Sequence, residues 1–330
     1  MPTPSNRLEE QVSWKVDDID VEATLIRPSG DGPFPAITMV AGSGPTDRNW
    51  NTPLLPGTNG SAALLAQVLT DQNFITLRYD KRASGPHVQE NLPRMIGKIS
   101  MQSHMEELAG GVRLLAARSD VDPKRLFALT SSEGCIHALN YQRQATASPF
   151  AGLILTGAPA RSIGEVARGQ IAAQLAAVPG GDAFLAAYDA AMADFAAGRP
   201  VKVDDTLPET LRMVIGAASA PQNQPFSREL WVTDPIQLAA SITVPLLVII
   251  GRKDVQVDWQ VDGSRWEALA KKHSDMTIVY PENANHVLKH EPKPREQLTS
   301  AEIAASYNAD GLELDRQVVA TISAWLDNLR

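Results

Sequence analysis

Short apolar runs alternate with helical patterns along the chain, and the runs set the framework. Residues 21–26 alternate loosely between apolar and polar positions, which predicts an antiparallel strand at a sheet edge. Residues 36–40 and 74–79 are near-continuous apolar stretches bounded by Gly, Pro and Asp, as strands buried on both faces are. Residues 126–129, 153–155, 246–250 and 276–280 repeat that pattern. Between the runs lie amphipathic stripes. Met105, Leu108, Val112 and Leu115 recur at steps of three and four, predicting a helix that covers one face of the sheet, with Ser103 and Glu106 spaced to form a capping box at its start. Val318, Ile322, Trp325 and Leu329 predict a second helix that docks at the C-terminus. Strands separated by helices read as βαβ crossovers and hence as a largely parallel sheet.

One stretch breaks the alternation. Residues 161–220 hold 16 alanines, with Phe184, Tyr188, Met192 and Phe195 at helical spacing and Pro/Gly breaks at 179–181 and 198–200. No strand pattern occurs there, so 161–240 is expected to be a helical insertion between two strands. Its aromatic and Met stripe is read first as internal packing.

At 330 residues the chain is about twice the usual domain of roughly 150, a length that fits one elaborated domain or two. Hydrophobic residues at 44% and charged residues at 21% are ordinary for a folded protein and exclude wholesale disorder. Thirty Lys and Arg against 38 Asp and Glu leave a net charge of −8, which repels phosphate backbones and anionic lipid, so neither nucleic acid nor membrane is expected as a partner. The single cysteine, Cys135, cannot close an intramolecular disulfide, and no Cys/His spacing suggests a metal site. The first residues contain no apolar core of a secretory signal, and no apolar run approaches the ~20 residues that span a bilayer. A soluble, cytoplasmic protein is expected.

Candidate chemistry sits just past the apolar runs. After 126–129 comes Thr130-Ser131-Ser132-Glu133-Gly134 and then a helical pattern. A serine on a sharp strand-to-helix turn needs small residues two before and two after it, and G-x-S-x-G is the usual solution. Gly134 meets that demand for Ser132, whereas Ser131 would be flanked by Leu129 and Glu133. A serine hydroxyl needs an imidazole to take its proton, and the imidazole needs a carboxylate to hold its tautomer. Residues 246–250 lead into Gly251-Arg252-Lys253-Asp254, and 276–280 lead into Pro281-Glu282-Asn283-Ala284-Asn285-His286. Asp254 and His286 therefore follow Ser132 in the order that serine hydrolases of this layout use. His290 is the rival base and Asp258 the reserve acid. Residues 36–40 end in Ala41-Gly42-Ser43-Gly44, whose backbone N–H groups are free to turn toward a developing oxyanion, and Ser43 N–H with Glu133 N–H are the expected donors.

Five segments together resemble the α/β-hydrolase superfamily, in particular its bacterial carboxylesterase and serine-aminopeptidase-like branch. They are GSGPTDRN at 42–49, Arg78-Tyr79-Asp80-Lys81-Arg82, Ser132-Glu133-Gly134, GRKDVQ at 251–256 and Asn285-His286-Val287-Leu288-Lys289. The resemblance covers most of the chain outside 161–240. It implies an α/β-hydrolase fold, with a mainly parallel eight-stranded sheet flanked by helices and a helical cap inserted after the sixth strand, and a cofactor-free Ser/His/Asp hydrolase. On that reading 1–160 and 241–330 form one discontinuous catalytic core and 161–240 the cap. Two positions depart from the pattern: Ala41 stands where relatives usually carry His, and Thr130 where they usually carry Gly. Both bear on the elbow and oxyanion geometry rather than on the reacting side chains. The expected activity is hydrolysis of a small-molecule carboxylic ester through an acyl-enzyme. The same triad would serve an aminopeptidase, amidase or thioesterase, and a non-catalytic binding protein is the alternative of another class.

Overall fold

Eight strands form one sheet: β1 (Arg7–Val16), β2 (Ile19–Pro28), β3 (Phe34–Val40), β4 (Ile75–Tyr79), β5 (Val121–Ser131), β6 (Gly152–Thr156), β7 (Leu246–Ile249) and β8 (Met276–Val279). Their order is β1-β2-β4-β3-β5-β6-β7-β8. The β1–β2 and β2–β4 pairs are antiparallel and every other pair is parallel. The structure is a computed structural model, and it describes residues 7–83, 85–299, 302–303 and 306–329. Every predicted strand is present. The edge strand is β1 rather than the predicted 21–26, which lies in β2 and is paired on both sides. Val12, Trp14 and Val16 alternate in β1 and carry the period-two signal that marks it.

Helices cover both faces. Ala62, Leu65 and Leu69 of α1 (Ser61–Asp71) pack on one face beside the C-terminal helix. A short α2 (Val88–Met95) follows β4. The other face takes α3 (Met101–Ala116) and α4 (Gly134–Gln144). The α3 stripe is as predicted but begins one turn earlier, with buried Met101, so its capping box pairs Ser100 with Ser103 and not Ser103 with Glu106.

Between β6 and β7 every described element is helical: α5 (Ile163–Leu175), α6 (Gly181–Ala196), α7 (Glu209–Ala218), a 3-10 turn (Pro221–Asn223), α8 (Phe226–Val232) and α9 (Pro235–Ala239). Tyr188, Met192 and Phe195 pack against Ile171, Leu175, Leu211 and Ile215 in a cluster of their own, so that stripe is internal packing. Then come α10 (Val261–Ala270) and α11 (Arg316–Asp327). The buried line of α11 is Val318, Ile322 and Leu326, while Trp325 and Leu329 flank it half-buried. Among the described residues no helix is long and apolar enough to cross a membrane.

Candidate active site

In a parallel sheet the loops after the strands converge at one edge. Here the loops after β3, β4, β5, β7 and β8 carry Ser43, Lys81, Ser132, Asp254 and His286 respectively.

Ser132 stands at φ 52°, a left-handed conformation that costs energy for a residue with a side chain. It is held there from two directions. Its N–H donates to Thr156 O at 2.8 Å, and Cys135 N–H donates back to Ser132 O at 2.9 Å as α4 begins. The turn works only because Gly134 has no side chain, since a β-carbon there would lie 2.5 Å from Val40 O.

Thr130 shows how the elbow does without its usual glycine. The side chain is fully buried, and its hydroxyl donates to Ile154 O at 3.0 Å and contacts Cys135 Sγ at 3.2 Å. The polar group is therefore satisfied, and the small Cys135 leaves room for the extra atoms. Burial pushes the Cys135 thiol up to about 12, so it remains protonated and serves as a small packing residue.

His286 Nδ1 lies 2.8 Å from Asp254 Oδ2. The other oxygen, Asp254 Oδ1, accepts the backbone N–H groups of Gln256 at 2.8 Å and Val257 at 2.9 Å. Fully buried and thus saturated, the carboxylate holds the imidazole with its proton on Nδ1 and leaves Nε2 as the basic nitrogen. The His286 ring stacks on Tyr307, with centroids 6.3 Å apart. Three residues on, Lys289 is buried with Nζ bonded to Asn59 O and Tyr307 O, and burial pushes its ammonium down to about 8.

Ser132 and His286 both lie against the end of β6. Thr156 accepts the Ser132 N–H, and on Gly157, the next residue at φ 51°, a β-carbon would stand 3.0 Å from His286 Cε1. The Ser132 hydroxyl has no hydrogen-bond partner among the described residues. The rival base lies elsewhere: His290 pairs with Asp315 at the start of α11, at 3.3 Å. The reserve acid, Asp258, caps α10 and bonds Arg295.

The loop after β3 lies against the elbow, since a β-carbon on Gly42 would be 3.3 Å from that of Ser132. Among the described residues neither the Ser43 nor the Glu133 amide N–H donates to another protein group, so both remain available. A cavity of about 440 Å³ opens beside them, lined by Gly44, Lys81, His104 and Glu133 on the sheet side and by Ile163, Phe226, Leu230 and Trp231 from the helices after β6. Sequence reasoning did not find Lys81 or Gly157 as site residues. Lys81 lies in one of the recognised motifs, but its partner is 39 residues away along the chain. Among the described residues no group of three or more His, Cys, Asp or Glu is placed to hold a metal ion.

No protein-family model matches the chain. Esterase EstD of Thermotoga maritima is 25% identical over 289 residues, covering 84% of this chain and 60% of that protein, so the chain spans about three fifths of the length of this relative. An esterase of Pyrococcus furiosus superposes with a TM-score of 0.57 at 16% identity, covering 100% of this chain and 94% of the esterase. The chain has the α/β-hydrolase fold. A proline iminopeptidase of Mycobacterium smegmatis shares this α/β-hydrolase fold with a TM-score of 0.55 at 15% identity, covering 97% of this chain and 98% of the peptidase. Esterase and peptidase neighbours share the fold, and fold alone does not separate their activities.

Proposed function

We propose that the protein is a serine carboxylesterase that uses Ser132, His286 and Asp254 as its triad. One observation supports the reading: the saturated Asp254 carboxylate orients His286 against Gly157, the neighbour of the Thr156 carbonyl that holds a serine at φ 52° on a strand-to-helix turn. In the first step Nε2 of His286 takes the Ser132 proton as Oγ attacks the ester carbonyl, and Asp254 stabilises the imidazolium. The carbonyl oxygen becomes an oxyanion that the Ser43 and Glu133 N–H groups receive. The tetrahedral adduct then collapses, His286 returns the proton to the departing alcohol, and an acyl-Ser132 ester remains. Water, deprotonated by the same imidazole, reverses the sequence and releases the acid.

The cavity supports an ester over an aminoacyl amide. At about 440 Å³ it has room for a small acyl or alcohol group, and its helical wall of Ile163, Phe226, Leu230 and Trp231 is apolar. Its only carboxylate, Glu133, is already engaged by His137 at 3.0 Å and Lys81 at 4.0 Å, so no free acid faces a substrate ammonium. On this reading residues 161–240 act as a cap that sets chain-length preference, and the partner is a small, mainly apolar ester.

The test is wild type against Ser132→Ala on nitrophenyl esters of graded acyl length, with a fluorophosphonate probe alongside. Ser132→Ala is expected to lose about 10⁶-fold in kcat and all labelling, with its melting temperature kept. Full activity in Ser132→Ala, or faster turnover of aminoacyl amides than of esters by wild type, rejects the proposal.

A further inference from the structure

The run Arg78-Tyr79-Asp80-Lys81-Arg82 at the end of β4 takes no part in the chemistry above, yet all five residues are buried. Charged side chains are rarely buried unless partnered, so each partner shows what the residue holds. Asp80 Oδ1 accepts the Arg48 backbone N–H at 2.6 Å, and Asp80 Oδ2 pairs with the Arg48 guanidinium at 2.7 Å. Arg78 donates to Asn49 Oδ1. Arg82 pairs with Glu107 at 2.9 Å and Asp17 at 2.8 Å. Through Arg48 and Asn49, three of these contacts anchor the far end of the loop after β3. Lys81 does something else: its Nζ donates to Gly42 O at 2.6 Å and to Gly44 O at 3.3 Å.

The Gly42 carbonyl belongs to the same peptide unit as the Ser43 N–H. That bond is trans, so carbonyl and N–H point to opposite sides of one rigid plane. An ammonium fixed on the oxygen fixes the direction of the N–H, and the charge-assisted bond polarises the amide toward a stronger donor. Lys81 is itself held by Glu133 Oε1 at 4.0 Å, and Glu133 by His137 Nε2 at 3.0 Å. Residue 133 thus contributes twice. Its backbone N–H is one oxyanion donor, and its carboxylate anchors the lysine that sets the other.

We infer that Lys81 is a positioning residue of the oxyanion hole, locking the Ser43 N–H in place through a buried Lys81–Glu133–His137 chain. The inference rests on the esterase reading. Burial opposes the charge on Glu133, but the His137 hydrogen bond and the Lys81 ammonium outweigh it and hold the carboxyl down to about 2. Burial also lowers His137, so at neutral pH it is an uncharged donor from Nε2. The Glu133 carboxylate therefore keeps its charge across the range in which an imidazole base works.

Lys81→Met, Lys81→Arg and Glu133→Gln are compared with wild type and Ser132→Ala on one short nitrophenyl ester. A trifluoromethyl ketone of matched chain length, which forms an oxyanion adduct on the serine, is measured beside the methyl ketone, which reports ground-state binding. Losing an oxyanion donor costs on the order of 10²–10³ in kcat, and Lys81→Met is expected near the lower figure with KM within about threefold. Affinity for the trifluoromethyl ketone is expected to fall in step while that for the methyl ketone holds, and Lys81→Arg is expected to recover most of the loss. Should Lys81→Met fail to fold, Glu133→Gln, which keeps both amides, carries the same pattern at about tenfold. Unchanged kcat in Lys81→Met while Ser132→Ala is inert overturns the inference and spares the esterase reading. A raised KM with unchanged kcat also overturns it, because Lys81 would then bind substrate directly. A wild type that neither hydrolyses the ester nor takes a fluorophosphonate overturns both.

Discussion

At the C-terminal edge of the sheet Asp254 is fully buried with both carboxylate oxygens engaged, whereas the helices between β6 and β7 leave Val178, Val203, Met213, Val214 and Val232 exposed. Those helices account for five of the nine large apolar side chains that the described residues expose, on about a quarter of the chain. Backbone hydrogen bonds set positions at the strand ends. A ladder partner such as Thr130↔Leu155 fixes the height of Ser132 to within a fraction of a residue. In the helical segment side-chain packing among Tyr188, Met192, Phe195 and their neighbours sets most positions, with few ties to the core such as Phe226 N–H to Ile99 O at 2.9 Å, and packing tolerates small slides. The rigid region suits chemistry that fails when an atom moves by 1 Å, and the looser one suits a wall that must fit varied substrates.

Three changes test this contrast, from the strongest to the mildest. Gly157→Ala places a β-carbon about 3.0 Å from His286 Cε1 at a left-handed position, so the ring must move. A loss of roughly 10²-fold in kcat is expected, with ester KM little changed. Wild-type turnover in this variant would show that the strand ends are less exacting than the contrast requires. Trp231→Ala enlarges the cavity from the helical side and is expected to shift kcat/KM toward longer acyl chains by about tenfold while sparing acetate esters. An equal loss on every ester would place Trp231 with the chemistry instead. Tyr188→Phe is the mildest. The Tyr188 hydroxyl is buried with no hydrogen-bond partner among the described residues, so removing it should leave activity unchanged and raise stability by up to about 1 kcal/mol, read as melting temperature. A clear loss of stability would mean that the helical segment is more tightly specified than its packing suggests.

Much of this architecture is legible in the chain because parallel strands buried on both faces leave unbroken apolar runs, and loops after such strands gather at one edge. Ser132, Asp254 and His286 could be nominated from that logic, with Gly134 choosing Ser132 over Ser131. Local pattern was less reliable where neighbouring residues offer equivalent chemistry. Ser100 and Ser103 close the α3 capping box because Met101 is buried and extends the helix by a turn, which periodicity from Met105 onward does not reveal. β1 escaped notice because its alternation is shared with five charged or amide positions that face solvent or pair at the edge.

What the sequence determined alone is the inventory and order of groups: a small-residue turn after one strand, an acid after another, a base after a third, and an alanine-rich stretch between them. It could also flag Thr130 as a departure, but not that Cys135 and Ile154 O would absorb its side chain. Only the tertiary structure separates the surroundings of His286 and His290, giving one the buried Asp254 and the other the helix-capping Asp315. Only it put the Lys81 ammonium on the peptide that carries the Ser43 N–H. The reason is physical: hydrogen bonds of 2.6 to 3.3 Å depend on which strands lie side by side, and β3 and β4 become neighbours only when the sheet has formed.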